Sequence, residues 1–177
     1  MTDIYTPEFF AEHHGTVTLS ASVVVPLVVD LLHPGSVIDV GCGQGEWLDA
    51  FGLEDAVGVD IAAPERDGFV RHDLTEPLDL ERLFDLVVSL ETAEHLPEEA
   101  ADVYVDTVAR HAGRAVLFSA AVPGQEGLHH VNCQPHEYWH AKFARYGLEA
   151  TDPIRPLIAG DRRVSPWYRN NLFVYVC

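Results

Sequence analysis

Basic residues are scarce. Eleven lysines and arginines stand against 28 aspartates and glutamates, a formal net charge of −17, and Lys142 is the single lysine. Affinity for nucleic acid rests largely on cations that neutralise phosphates, and anionic membranes attract basic clusters. Neither nucleic acid nor a membrane is therefore expected as a partner. Cysteine is scarce too. Cys42, Cys133 and Cys177 are odd in number and far apart, which argues against a disulfide framework or a cysteine zinc set and for a reducing compartment. The start, Met1-Thr2-Asp3-Ile4-Tyr5, lacks the basic and apolar regions of a secretory signal. The most apolar stretch, Val17 to Leu32, reads as too short to span a bilayer and carries Pro26 and Asp30. There is no repeat, linker or low-complexity tract. These absences lead us to expect a soluble, cytoplasmic protein.

What is present is ordinary globular composition, 47% hydrophobic and 22% charged over 177 residues. That length suits one domain, able to bury roughly 70% of its unfolded surface. We expect a single unit over residues 1–177, with residues 1–34 as a helical or lid segment and residues 35–177 as the core.

From residue 36 onward, short apolar runs alternate with helical patterns. The runs are Ser36–Val40, Ala56–Asp60, Phe84–Ser89 and Ala115–Ser119, with a weaker one at Phe69–Arg71. Runs apolar on both faces are the mark of parallel strands covered by helices on both sides. Helices are expected over about Glu46–Phe51, from Pro97 through Val103, Val105 and Val108 to near Gly113, and from Pro135 to near Gly147. Glu98 and Glu99 follow Pro97 in a first turn, where acidic residues suit the helix dipole. A long N-terminal helix is read over Pro7–Leu32, with Gly15 as a candidate break. Asn171–Val176 reads as the final strand. The alternation predicts an open, doubly wound α/β fold.

The sharpest local signal is Val37-Ile38-Asp39-Val40-Gly41-Cys42-Gly43-Gln44-Gly45-Glu46-Trp47. A buried strand runs into three alternate glycines and then a helix, a turn that brings backbone N–H groups close to a ligand. Asp60 closes the next strand, where a carboxylate can hold both hydroxyls of a ribose. A dinucleotide and S-adenosylmethionine both suit such a loop. The dinucleotide fingerprint needs a glycine for close helix packing where this chain has Glu46.

These residues resemble the class I S-adenosylmethionine-dependent methyltransferases. Val37–Gly45 matches that family's first motif, Gly58-Val59-Asp60 its acidic strand end, Arg71-His72-Asp73-Leu74 its adenine segment, and Phe84–Pro97 its fourth strand and loop. The resemblance implies a seven-stranded, Rossmann-like sheet with an antiparallel last strand. It implies that Gly41 and Gly43 pass beneath the methionine part, Asp60 holds the ribose, Asp73 and Leu74 read the adenine, and Glu91 lies near the substrate entrance. Asp39, Cys42, Gln44 and Ile61 complete the implied cofactor set. Asp73 could instead cap the turn before Thr75-Glu76-Pro77. The second half resembles a small bacterial subgroup through Leu117–Gln125, His129-His130-Val131-Asn132, Tyr138-Trp139 and Trp167–Asn171. Cys133 and Pro135 depart from it.

A hydroxyl acceptor usually needs a base. His129, His130, His95 and Glu94 are candidates. We favour His130 as base or acceptor-positioning group, with Asn132 orienting the acceptor. His130 and Asn132 could equally pin their loop, and His95 could cap the helix at Pro97. Tyr5, His129, Tyr138 and Trp139 are candidate substrate contacts. Tyr138, Trp139, Trp167 and Tyr168 could form an aromatic wall. His136-Glu137-Tyr138-Trp139-His140 spells a zinc-hydrolase pattern, but Pro135 places His136 in a first helical turn, and no metal ligand is assigned. The expected function is methyl transfer to a small-molecule hydroxyl, on a sugar or natural-product metabolite. A non-catalytic binding module, a metallohydrolase and a nicotinamide oxidoreductase are the alternatives.

Overall fold

Strands apolar on both faces must be covered on both faces, and the computed structural model shows how. It describes residues 7–176, with side chains from residue 15. The chain forms α1 (Pro7–Leu32), β1 (Val37–Val40), α2 (Glu46–Phe51), β2 (Ala56–Asp60), β3 (Phe69–Arg71), β4 (Phe84–Leu90), α3 (Ala101–Arg110), β5 (Ala112–Ser119), α4 (His136–Ala144), β6 (Glu149–Thr151), α5 (Arg155–Ile158), α6 (Pro166–Asn171) and β7 (Phe173–Val176). One seven-stranded sheet has the order β3-β2-β1-β4-β5-β7-β6. All neighbours are parallel up to β5, and β7 runs antiparallel to both β5 and β6. The expected Rossmann-like sheet is thus the observed one.

Alternation along each strand sorts the core into two layers. Val37, Leu86, Val88, Leu117 and Val174 face a cluster completed by α1, α2, α5 and α6. Ile38, Val40, Val87, Val116, Phe118 and Tyr175 face another, completed by α3 and α4. β1 lies at the switch point: the chain winds outward through β2 and β3 on one side, then returns through β4 on the other. Crevices form outside the carboxyl ends of strands at such a point, and the loops after β1, β2, β4 and β5 all meet there.

Several boundaries differ from those read in the sequence. α1 runs unbroken through Gly15, where an added Cβ would meet open space. The Val17–Leu32 stretch therefore belongs to a 26-residue helix. By length and composition alone, Gly15–Leu32 could cross a membrane, which corrects the reading of that stretch as too short. Its apolarity has another use here, because Ala21, Val24, Val25 and Val28 are buried in the core. The helix expected from Pro97 begins as a 3-10 turn, Glu98–Ala100, and ends at Arg110. Gly113 instead lies in β5, where an added Cβ would stand 2.9 Å from the Phe84 carbonyl oxygen. α4 stops at Ala144, and Gly147 sits beyond it in a turn, at φ +75°. Asn171 ends α6 rather than opening the last strand.

Candidate functional site

The loop after β1 is shaped by contacts that exclude side chains. Gly41 has φ +92°, and a Cβ there would lie 2.2 Å from Thr92 Oγ1. Its N–H and that of Cys42 both donate to the Val59 carbonyl, at 2.7 and 3.1 Å. Gly45 is the residue before α2, at φ +94°, and a Cβ there would strike the Phe69 ring at 2.6 Å. The close packing that a dinucleotide loop places at its third glycine occurs here at Gly45, which leaves Glu46 to line the cavity below. Burial, reinforced by the charges of Asp39 and Asp60, pushes the Cys42 thiol well up, so it stays protonated.

Asp60 ends β2 with its carboxylate over this loop. It accepts from the N–H of Gly43 at 3.0 Å and from that of Ala62 at 2.8 Å. Burial raises its pKa, against the lowering effect of those two bonds. Asp73 accepts from the Thr75 N–H at 3.0 Å and its hydroxyl at 2.7 Å. These bonds lower its pKa. It caps that turn and also lines the cavity. Asp39 is 2% exposed, and its Oδ2 has no hydrogen-bond partner among the described residues. Burial, then Asp60 and Glu46, raise its pKa well above the usual carboxylate range.

The other end of the cavity is built by the loops after β4 and β5. Glu91 takes φ +50°, a conformation unusual for a side-chain-bearing residue. Its backbone is held by the Ser119 carbonyl at 2.9 Å. Its carboxylate accepts from Gln125 Nε2 at 2.7 Å and Asn171 Nδ2 at 3.3 Å. Asn171 Nδ2 also donates to Gln125 Oε1 at 2.8 Å, which ties the loop after β5 to α6. Glu94 is fully buried, and neither carboxylate oxygen has a hydrogen-bond partner among the described residues. Burial first, then the charge of Glu91, raises its pKa well above the ordinary value. His95 and His130 meet edge to face, with ring centres 5.0 Å apart. Each has its Nδ1 against a backbone carbonyl, His129 at 3.3 Å and Gln125 at 3.2 Å. Burial and the neighbouring His130 lower the His95 pKa to about 4.

A cavity of about 300 Å³ joins the two ends. Of the residues singled out in the sequence, it brings together Gly41, Cys42, Gly43, Asp60, Ile61, Asp73, Leu74, Glu91, Glu94, His95, His130, Trp167 and Tyr168. It does not include Asp39, Gln44, Asn132, His129, Tyr138 or Trp139. Asp39 lies within β1, short of the loop, and Gln44 donates to the Ala62 carbonyl instead. Asn132 is 3% exposed, and its Oδ1 accepts from Gln134 Nε2 at 2.9 Å, a bond between side chains rather than to backbone. Trp139 is core against Phe118, and Tyr138 packs on Trp139 and Lys142. The aromatic wall thus reduces to Trp167 and Tyr168. His95 bonds to the loop rather than capping at Pro97. Tyr5 lies outside the described residues. Thr92 and Gln125 were missed; neither belongs to a residue type that sequence reading flags.

His136 and His140 do share a helix face, with rings 6.4 Å apart. Their nitrogens meet Asn171 Oδ1 at 3.3 Å and the Tyr175 hydroxyl at 2.8 Å. Among the described residues, no third His, Cys, Asp or Glu joins them into a metal-binding group.

Comparison with known families gives one match: a family described as a methyltransferase domain, over residues 19–143. Comparison with curated proteins finds no match. Among solved structures, Streptomyces venezuelae DesVI has a TM-score of 0.71 at 17% identity, over 99% of this chain and 97% of that one. S-adenosylmethionine-bound CalS10, an amino pentose methyltransferase from Micromonospora echinaspora, scores 0.70 at 15% identity, over 98% of both chains. Magnesium protoporphyrin IX methyltransferase from Synechocystis, with bound S-adenosylmethionine, scores 0.61 at 20% identity, over 92% and 79%.

Proposed function

Because the chain belongs to the methyltransferase-domain family, we propose that it moves a methyl group from S-adenosylmethionine to a hydroxyl of a small molecule, a sugar or natural-product metabolite. The observation that carries the reading is the single cavity joining Asp60 and Asp73 at one end to His95 and His130 at the other. Its volume lies at the lower end of the range of small-molecule sites.

The residues fit the cofactor. Gly41 and Gly43 line the cavity with backbone, and Asp60 beside them carries a carboxylate that can accept two ribose hydroxyls. In this reading Asp73 and Leu74 take the adenine, and Glu91 lines the other end of the cavity. Bound there, S-adenosylmethionine would supply a sulfonium-activated methyl group: the acceptor oxygen would bond to its carbon, the electron pair of the broken carbon–sulfur bond would return to sulfur, and the hydroxyl proton would pass to an imidazole or to solvent.

The protein's part is to hold the acceptor in line, and proximity and orientation supply the rate. His95 and His130 present imidazoles to the acceptor end, and Trp167 and Tyr168 give it an apolar side. A sugar acceptor is supported by CalS10, a protein of almost the same extent that acts on an amino pentose. A charge of −17 favours a neutral or cationic acceptor over an anionic one.

The test is His130→Ala. Its product S-adenosylhomocysteine affinity should stay within about twofold of the parent, while turnover on an acceptor falls by roughly 10²–10⁴-fold. Unchanged turnover would remove His130 from the reaction.

A further inference from the structure

Glu94, His95 and His130 come from the loops after β4 and β5, and one donor atom of each lies within 4.8 Å of the others. We propose that these three side chains hold a divalent first-row transition-metal ion at the acceptor end of the cavity.

Glu94 is the first argument. It is fully buried, both of its oxygens lack a hydrogen-bond partner among the described residues, and it lines the cavity beside a second carboxylate, Glu91. Buried carboxylates are ordinarily paired, protonated or bound to a metal. Glu91 accepts from Gln125 and Asn171; among the described residues no amide side chain reaches Glu94 in the same way. A cation between Glu94 and the two imidazoles would give a buried carboxylate oxygen a partner and relieve the adjacent negative charges.

The histidines are the second argument, and it is independent. A metal-binding imidazole typically donates one ring N–H to a carbonyl or carboxylate, which fixes the tautomer with its lone pair on the other nitrogen. Both histidines have Nδ1 at a backbone carbonyl. Those carbonyls can only accept, so each Nδ1 carries the proton and each Nε2 carries the lone pair. The ring of His130 reaches its place because residue 127 is glycine: a Cβ there would lie 2.1 Å from His130 Nε2.

The donor set chooses the metal. Two imidazoles with one carboxylate suit zinc, iron or cobalt, whereas magnesium prefers oxygens and keeps its waters. An ion held by three protein ligands keeps an open position, and here it would face the cavity. Zinc sits roughly 2.0–2.2 Å from such ligands, so binding would draw the three side chains closer together. The role of the ion rests on the methyltransferase reading: an acceptor hydroxyl at the open position would lose its proton to solvent more readily. Its binding does not rest on that reading.

The test loads metal-stripped full-length protein with Zn²⁺ and with Co²⁺. We expect one equivalent of either, a higher melting temperature, and the visible absorption of nitrogen- and oxygen-ligated Co²⁺. His130→Ala and Glu94→Gln should weaken binding by roughly a hundredfold or more, because loss of even an outer-shell partner costs 10–100-fold. His136→Ala, in the other histidine pair, should leave it unchanged. Melting curves and S-adenosylhomocysteine titration of each variant separate loss of the ion from loss of fold, and failure of the metal site from failure of the cofactor site. His130 stands in a partly exposed loop, so its variant decides the matter even if Glu94→Gln does not fold. No stoichiometric binding, binding retained in His130→Ala, loss in His136→Ala, or a response to Mg²⁺ alone would overturn the proposal.

Discussion

At the scale of single residues, the site is a set of carboxylates given different work by their surroundings. Asp39 lies within β1, short of the glycine loop, and Asp60, 21 positions on, ends β2 beside that loop. Asp60 reaches the cavity, and Asp39 is sealed below it. Replacing Asp60 with Asn removes the charge and one acceptor. A hydrogen bond to a charged group contributes roughly 1.5–3 kcal/mol, so calorimetry should show S-adenosylmethionine affinity falling by about 10–100-fold. Asp39 offers a test through pH. Its folded pKa lies well above the ordinary 3.8, so between those values the folded protein binds a proton that the unfolded chain has lost. Stability from this group is present at low pH and is lost as pH rises. Asn has no such proton to lose. The melting temperature of Asp39→Asn should therefore gain on the parent as pH climbs from about 4 to 8, and a difference independent of pH would refute the shift.

At the scale of elements, legibility followed from burial. β1 and β2 were readable because their residues repeat a pattern that only one environment explains, and α2 because the glycine loop leads into it; Val37, Ile38 and Val40 are fully buried. β6 carried no such pattern: all three of its residues are exposed, and it is held by edge pairing with β7. α5 and α6 are four and six residues long, too short to show a helical period. The glycine loop and its acidic partners were legible because chemistry restricts the residue types. The acceptor end was only half legible. Tyr138 and Trp139 follow the cavity loop in sequence, but α4 turns Trp139 into the core against Phe118. Conversely, Gln125 and Asn171 meet only because β7 folds back beside β5. One element also carries a removable cost. Pro26 stands exposed inside α1, where it cannot donate to the preceding turn. Proline costs about 3 kcal/mol in a helix interior, partly offset by its stiffening of the unfolded chain. Pro26→Ala should raise the unfolding free energy by about 2 kcal/mol in a urea titration; a loss of stability would show that the proline is needed for packing.

For the whole molecule, the sheet order places every functional loop at one edge. β1 and β4 diverge at the switch point, and the loops that follow them face each other across the cavity. The dominant acidity belongs to this level too: a formal charge of −17 repels anions from the molecule. The central claim is that the cavity holds S-adenosylmethionine rather than a dinucleotide. Isothermal titration of the metal-stripped protein with S-adenosylmethionine, S-adenosylhomocysteine and NAD tests it directly. One site of micromolar affinity for the first two, with no heat from NAD, is the result the account predicts. NAD binding, or no binding of either adenosyl compound, would contradict it.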